Sequence, residues 1–67
     1  MAPWYLLFAT KNPTEASIIK GMLEENQIRV MLLNKQDSSM LYGDIEIYVP
    51  VHFKEIARGL LDKGLLN

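Results

Sequence analysis

Residues 4–16 read WYLLFATKNPTEA, an aromatic and aliphatic run followed at once by a helix-start pattern. Residues 4–10 are too few for a stable helix and rich in strand-forming residues, which predicts a first strand with apolar side chains on both faces. Asn12 can cap a helix, Pro13 suits its first position, and Glu15 stands three residues after the cap, as in a capping box. The pattern predicts a strand that leads directly into a helix, and it leaves open which face of the strand is buried.

The predicted first helix continues with an apolar stripe at helical spacing, formed by Ala16, Ile19 and Leu23. It is expected to end near Asn26, because asparagine tolerates the left-handed conformation found at helix ends. Residues 28–33 follow as a second strand that is again apolar on both faces. The first two predicted strands therefore both lack a polar face.

The second half of the chain adds one more strand and one more helix. Residues 45–49 alternate apolar and polar side chains, which predicts a strand with one buried face that ends at Pro50. An amphipathic helix follows, and its apolar stripe is formed by Phe53, Ile56, Ala57, Leu60 and Leu61. Gly64 is expected to end this helix, and whether Leu65 and Leu66 then form a fourth strand stays open.

The composition bounds the class of protein. The chain has 67 residues, enough for one domain spanning residues 1–67, and its seven Lys and Arg nearly balance eight Asp and Glu. These charges are scattered, so no basic surface for nucleic acid is predicted. There is no cysteine, which excludes disulfides and thiolate zinc sites. The apolar run of residues 4–9 is far shorter than the ~20 residues that cross a bilayer, so we expect no membrane partner and a cytoplasmic location.

The order of elements predicts an α+β fold of the ferredoxin-like split β-α-β type: strand–helix–strand–strand–helix. The third strand is expected between the first and second, antiparallel to both, with both helices on one face of the antiparallel sheet. The predicted core comprises Ala16, Ile19, Leu23, Val49, Ile56, Ala57 and Leu60. Since two helices cover only one face of a single sheet, the apolar residues on the other face predict a surface for self-association.

No set of residues in the sequence points to catalysis. His52 is the only histidine, and no second histidine or cysteine exists to share a metal with it. Ser38 and Ser39 lack the flanking glycines of a nucleophile elbow. Glu24 and Glu25 adjoin on one helix but point in different directions, so they do not form a paired-carboxylate site. We expect a protein that is not an enzyme, with no catalytic residue, no cofactor and no metal.

Aromatic residues on the first and third strands could mark an RNA-binding surface, because ferredoxin-like RNA-binding domains stack bases there. In this chain they are Trp4, Tyr5, Phe8 and Tyr48. The third strand lacks basic and glycine-rich surroundings, however, and Glu46 and Asp44 would repel phosphates. Packing in the core or at an interface is the better interpretation of these aromatic residues.

A longer pattern of core and capping positions spans residues 6–61: Asn12-Pro13-Thr14-Glu15-Ala16, Ile18-Ile19, Leu23-Glu24, Ile28, Val49-Pro50, Ala57 and Leu60-Leu61. With these residues the chain resembles a family of small bacterial domains known as prokaryotic signal-transducing proteins, whose biochemical task is not known. The resemblance implies a signalling role and a fold similar to that of the trimeric PII nitrogen-regulatory proteins. Nucleotide binding is not implied, because the phosphate-binding signature of the PII class is missing. Family members usually carry a glycine just before the second strand, where this chain has Asn26-Gln27.

The connection formed by residues 34–43 is longer than two adjacent antiparallel strands need. It mixes polar residues with apolar ones that look exposed, a composition suited to an adaptable contact surface. The predicted partner-binding residues are Ser38, Ser39, Met40 and Tyr42. The alternative is that Met40 and Leu41 pack onto the sheet or extend the third strand.

Taken together, these features predict a signal-transducing or adaptor module that acts by protein–protein interaction. We expect a homodimer, formed through either the open face of the sheet or the unpaired edge of the first strand. The alternative function is a small-molecule-sensing regulatory domain that binds its ligand at a dimer interface. Such sites usually use exposed backbone amides in the turn after the first strand. That turn is Thr10-Lys11-Asn12 here, and it contains no glycine.

Overall fold

A computed structural model describes residues 3–35 and 44–66. Its elements follow the predicted order: β1 (Trp4–Thr10), α1 (Pro13–Glu25), β2 (Met31–Asn34), β3 (Ile45–Pro50), a single turn of 3-10 helix (Val51–Phe53) and α2 (Lys54–Leu66). The strands form one antiparallel sheet in the order β1-β3-β2. Both helices share one buried cluster with a single face of this sheet. The predicted α+β fold with a ferredoxin-like layout is confirmed.

The first strand contains a bulge that decides which of its side chains are buried. Its pairing with β3 shifts register between Leu6 and Phe8, which leaves Leu7 as the extra residue. A bulge breaks the alternation of side chains, and the consecutive residues Leu7 and Phe8 both pack against the core. Tyr5 packs there too, whereas Trp4 and Leu6 are exposed. The apolar residues of β1 are thus divided between two faces of the sheet.

The first helix begins at a cap that is tied to the end of β1. The Oδ1 atom of Asn12 accepts hydrogen bonds from the backbone N–H groups of Thr14 (2.9 Å) and Glu15 (3.4 Å), as predicted for a cap. In a capping box the Asn12 N–H would also donate to the Glu15 side chain. Here that hydrogen bond is replaced by two hydrogen bonds through the Thr10 hydroxyl. The Thr10 hydroxyl donates to Oε1 of Glu15 at 2.6 Å, and its oxygen accepts from the Asn12 N–H at 3.1 Å.

The first helix ends at Glu25 with Asn26 as its C-cap, as predicted, but it ends in a Schellman motif whose left-handed residue is Gln27 instead of Asn26. Gln27 has a φ of 61°, whereas Asn26 has a φ of −95°. The Gln27 N–H donates to the Glu24 carbonyl (3.0 Å) and the Ile28 N–H to the Leu23 carbonyl (3.1 Å). These two bonds define the motif. Gln27 therefore stands where glycine is favoured.

The second strand begins later than predicted, at Met31 instead of residue 28. Ile28 is buried, but it belongs to the turn that ends α1, so the chain reaches the sheet only three residues further on. All four residues of β2 are exposed and β2 pairs with β3 alone, which makes β2 one edge of the described sheet.

The second helix runs through Gly64 to Leu66, so the prediction that Gly64 ends it is wrong. Leu65 and Leu66 belong to this helix and do not form a fourth strand. Gly64 lies where the two helices meet, because a Cβ atom there would be 3.0 Å from the Sδ atom of Met22. Gly64 therefore allows α1 and α2 to approach each other closely, and it does not terminate α2.

The core lies between the sheet and the two helices. It consists of Ala16, Ile19, Leu23, Ile28, Ile45, Ile47, Val49, Ala57 and Leu61. All predicted core residues except Leu60 and Ile56 are buried, and Leu60 packs against the cluster from a partly buried position. The prediction for Ile56 is wrong, since this side chain is 58% exposed. Successive residues of a helix point about 100° apart, and α2 directs Ala57 and Leu61 at the sheet, which turns Ile56 away from it.

Candidate interaction face of the sheet

Within residues 3–35 and 44–66, the face of the sheet opposite the helices carries several exposed apolar side chains. We call it the open face. Side chains alternate between the two faces of a strand, and this places on the open face Trp4, Leu6, Ala9, Met31, Leu33, Lys35, Glu46 and Tyr48. The four large apolar ones, at positions 4, 6, 31 and 33, are each between 36% and 43% exposed. No helix from the described part of the chain covers them.

The strand register groups these side chains into two rows across the sheet. Tyr48 on the central strand has Leu6 on one side and Met31 on the other. Glu46 has Ala9 and Leu33 on its two sides. Each polar residue of the central strand is therefore flanked by apolar residues from both edge strands.

A small polar network lies among the apolar side chains of the open face. The Tyr48 hydroxyl donates a hydrogen bond of 2.7 Å to Oε1 of Glu46. The ammonium group of Lys35, which follows β2 directly, lies 3.3 Å from the same oxygen. Glu46 is the only charged residue within the three strands, and its side chain is 15% exposed against 55% for Lys35. The carboxylate is thus shielded and its charge is balanced by one neighbour.

The pKa values of this network follow from its hydrogen bonds. The bond from Tyr48 holds the pKa of the Glu46 carboxyl below its ordinary value, and Lys35 lowers it further, while desolvation acts in the opposite direction. The same hydrogen bond is the largest cause that raises the pKa of Tyr48. At neutral pH the network therefore consists of an ionised glutamate and a protonated tyrosine.

The outer edge of β1 is a second candidate contact site. No strand from the described residues pairs with this edge, and β1 has no charged residue and no proline. Unprotected edges of this kind recruit other strands. However, the bulge at Leu7 lies in the middle of β1, and bulges twist an edge away from regular pairing. The edge is therefore the weaker candidate of the two.

The helix layer, formed by α1 and α2, contains a small cleft. It is apolar, has a volume of about 50 Å³ and is lined by Ile18, Ile19, Met22, Leu61 and Gly64. Pockets that bind small molecules usually measure about 300–1,000 Å³. The cleft is therefore too small to serve as an enclosed ligand site.

The residues that sequence reasoning singled out are not brought together in one site. Ser38, Ser39, Met40 and Tyr42 lie outside the described residues, so their predicted role in partner binding stays a prediction. His52 is exposed and its ring lies against that of Phe53, with centroids 4.5 Å apart. Glu24 forms a surface ion pair with Lys20. Among residues 3–35 and 44–66, no three His, Cys, Asp or Glu side chains are grouped so that they could hold a metal ion.

The four aromatic residues considered for RNA binding are divided between the two faces of the sheet. Tyr5 and Phe8 pack against the core, and the Lys54 ammonium group lies 4.9 Å from the centre of the Tyr5 ring. Trp4 and Tyr48 remain on the open face. A continuous platform of aromatic rings is therefore not formed by these four residues.

The network of Lys35, Glu46 and Tyr48 was missed by sequence reasoning. The alternation of residues 45–49 already places Glu46 and Tyr48 on one face of a strand. The contribution of Lys35 depends on the pairing of β2 with β3, because Lys35 follows Asn34, which lies opposite Ile45. That register is not visible in a pattern of single residues.

The fold and the open face define a small α+β domain with a ferredoxin-like layout, in which helices pack on one side of the sheet and the other side carries exposed apolar residues around a polar network. A family model described as "Putative prokaryotic signal transducing protein" matches residues 4–63. The chain belongs to this family, which confirms the resemblance seen in the sequence. No curated protein and no solved structure matches the chain. Within the described ranges, neither helix is long and apolar enough to cross a lipid bilayer.

Proposed function

We propose that this chain is a signal-transducing or adaptor module that acts by protein–protein contact through its open face and not as an enzyme. The observation that carries the proposal is the combination of four exposed apolar side chains with a carboxylate that is already paired. The family name supports the signalling role. We expect the module to act in the cytoplasm.

The apolar part of the open face favours contact with another protein. Trp4, Leu6, Met31 and Leu33 come from both edge strands and surround the central strand. Single exposed apolar residues are ordinary on protein surfaces, but contiguous groups usually mark interaction sites. Tryptophan and methionine are also enriched at interfaces, because they combine a large contact area with adaptable packing.

The polar network of the open face lowers the cost of burying Glu46 in such a contact. Covering an unpaired carboxylate would be costly, because the charge would lose its hydration without compensation. Glu46 already accepts a hydrogen bond from Tyr48 and faces the ammonium group of Lys35. A partner can therefore cover this face without supplying a counter-charge.

The alternative of a ligand-sensing domain receives less support. The helix cleft of about 50 Å³ is too small for an enclosed ligand. A ligand site at a dimer interface would need self-association, whereas contact with a different protein would not. The contribution of Ser38, Ser39, Met40 and Tyr42 to partner binding remains part of the proposal.

Site-specific photo-crosslinking in the host cell tests the proposed function. A photoreactive amino acid replaces Leu33 on the open face in one variant and Ile18 in a matched control, because Ile18 is 66% exposed on the helix layer. We expect protein adducts from position 33 that disappear when Leu6 is also changed to Glu. Adducts that form from position 18 but not from position 33 would contradict the proposal.

A further inference from the structure

We infer that the protein covering the open face is a second copy of this chain, so that two sheets pack face to face in a symmetric dimer. This inference rests on the proposed function and names the partner of the same surface. It follows from the charge of the face, its area and the geometry of its edges.

The charge of the open face selects for a neutral partner. Glu46 is the only charged residue of the three strands, and Lys35 balances it at 3.3 Å. A face with an unbalanced charge would favour a partner of opposite sign, such as a basic peptide or a nucleic acid. The open face carries exposed apolar side chains, and the charge of Glu46 is balanced by Lys35. A second copy of the face would therefore bring a glutamate that is already paired with its own lysine.

The area of the face reaches the lower limit for a small dimer. Three strands about 4.8 Å apart and on the order of 20 Å long span roughly 300 Å², and projecting side chains raise the accessible area to on the order of 500 Å² per copy, so a pair would bury about 1,000 Å² in total. That value lies at the lower limit for a specific interface. A chain of 67 residues without a disulfide also buries little core of its own, and such small domains commonly gain stability by oligomerising.

The geometry of the sheet favours its face over the edge of β1. The bulge at Leu7 disturbs the middle of β1, and a continuous sheet across two copies would require regular pairing along that strand. Face-to-face packing imposes no such requirement, because two sheets about 10 Å apart contact each other through side chains alone. The helices lie on the opposite side and do not obstruct this approach.

The symmetry of the dimer makes the inference easy to test. In a two-fold interface each residue contributes from both copies, so one substitution of Leu6 by Glu places two new carboxylates in the contact. Trp4 is the only tryptophan of the chain and lies on the open face. Its fluorescence therefore reports directly whether this face is covered.

The experiment combines sedimentation equilibrium with Trp4 emission over a dilution series of the full chain. We expect a dimer at high micromolar concentration and a red shift of Trp4 emission on dilution. Leu6→Glu should weaken self-association on the order of a hundredfold, because two unpaired charges would be buried. Ile18→Glu, on the helix layer, should behave as the wild type does. Leu33→Gln is a neutral second variant in case Leu6→Glu does not fold, and it should weaken the dimer less.

The outcomes separate this inference from the proposed function. A wild-type chain that stays monomeric at high micromolar concentration, with Trp4 emission independent of dilution, overturns the dimer. If position 33 still crosslinks to a different protein in the cell, the proposed function stands without it. A dimer that is weakened by Ile18→Glu and unaffected by Leu6→Glu also overturns this inference, because the contact would then lie on the helix layer.

Discussion

The hydroxyl group of Tyr48 donates a hydrogen bond of 2.7 Å to Oε1 of Glu46, two residues earlier on the same face of β3. Lys35 approaches the same oxygen from the end of β2. The three side chains keep one carboxylate ionised within a surface that is otherwise apolar. The network therefore links the stability of the sheet to pH.

Removal of the Tyr48 hydroxyl should reduce the dependence of stability on pH in the acid range. Since the folded state lowers the pKa of Glu46 below 4.5, this carboxylate contributes stability above that pH and loses it as the pH falls through the lowered pKa. Tyr48→Phe removes the hydrogen bond that is the largest cause of the lowered pKa of Glu46. Urea unfolding between about pH 7 and about pH 3 should then show a smaller loss of stability than in the wild type.

Lys35→Met is the matched control for this experiment. It removes the ion pair but keeps the hydrogen bond from Tyr48, so the part of the pH dependence that comes from this hydrogen bond should remain. Identical pH profiles for the wild type and Tyr48→Phe would show that this hydrogen bond does not stabilise the ionised carboxylate.

Gln27→Gly should stabilise the protein. Gln27 has a φ of 61°, and a residue with a Cβ atom in this conformation costs about 1 kcal/mol more than glycine. Because glycine also increases the entropy of the unfolded chain, we expect a net gain of about 0.5 kcal/mol in the free energy of unfolding. Thermal or urea unfolding measures it.

Asn26→Gly provides the comparison at the neighbouring position. Asn26 has a negative φ, and its side-chain amide donates a hydrogen bond of 2.8 Å to the Met22 carbonyl. Glycine should therefore destabilise the protein at position 26. Equal effects at positions 26 and 27 would contradict the assignment of the left-handed residue.

Gly59→Ala and Gly64→Ala should differ although both lie in α2. A Cβ atom at Gly59 would meet nothing within 4 Å, so alanine should gain about 0.5–1 kcal/mol from its higher helix propensity. A Cβ atom at Gly64 would lie 3.0 Å from the Met22 Sδ atom, and the movement of Met22 should reduce that gain. Equal stabilisation by both substitutions would indicate that α1 and α2 do not pack closely at Gly64.

The elements that could be predicted from the sequence depend on local chemistry. Asn12 caps α1 through contacts with residues two and three positions later, so its role is visible in the sequence. The alternation of residues 45–49 likewise predicts β3 and its buried face. The order of such elements was enough to predict the ferredoxin-like layout.

The features that could not be predicted depend on contacts between distant parts of the chain. Ile56 fits an amphipathic pattern, but the orientation of α2 on a narrow sheet leaves it exposed. In the sequence Gly64 resembles a helix terminator, because glycine is common at helix ends. Its contact with Met22 is visible only in the structure. The pairing of Lys35 with Glu46 requires the register of β2 against β3. Each of these outcomes is decided by packing between elements.

The most direct test of the open face as a protein contact surface is hydroxyl-radical footprinting, in the host cell and on dilute purified protein. We predict that Trp4 and Met31, on the open face, are oxidised several-fold more slowly in the cell, because a partner protein covers them. Ile18 and Ile56 are the internal controls, since both are exposed on the helix layer, and their labelling should be the same in both conditions. Equal labelling of Trp4 and Met31 in the two conditions, with protection of Ile18 and Ile56 instead, would contradict this account.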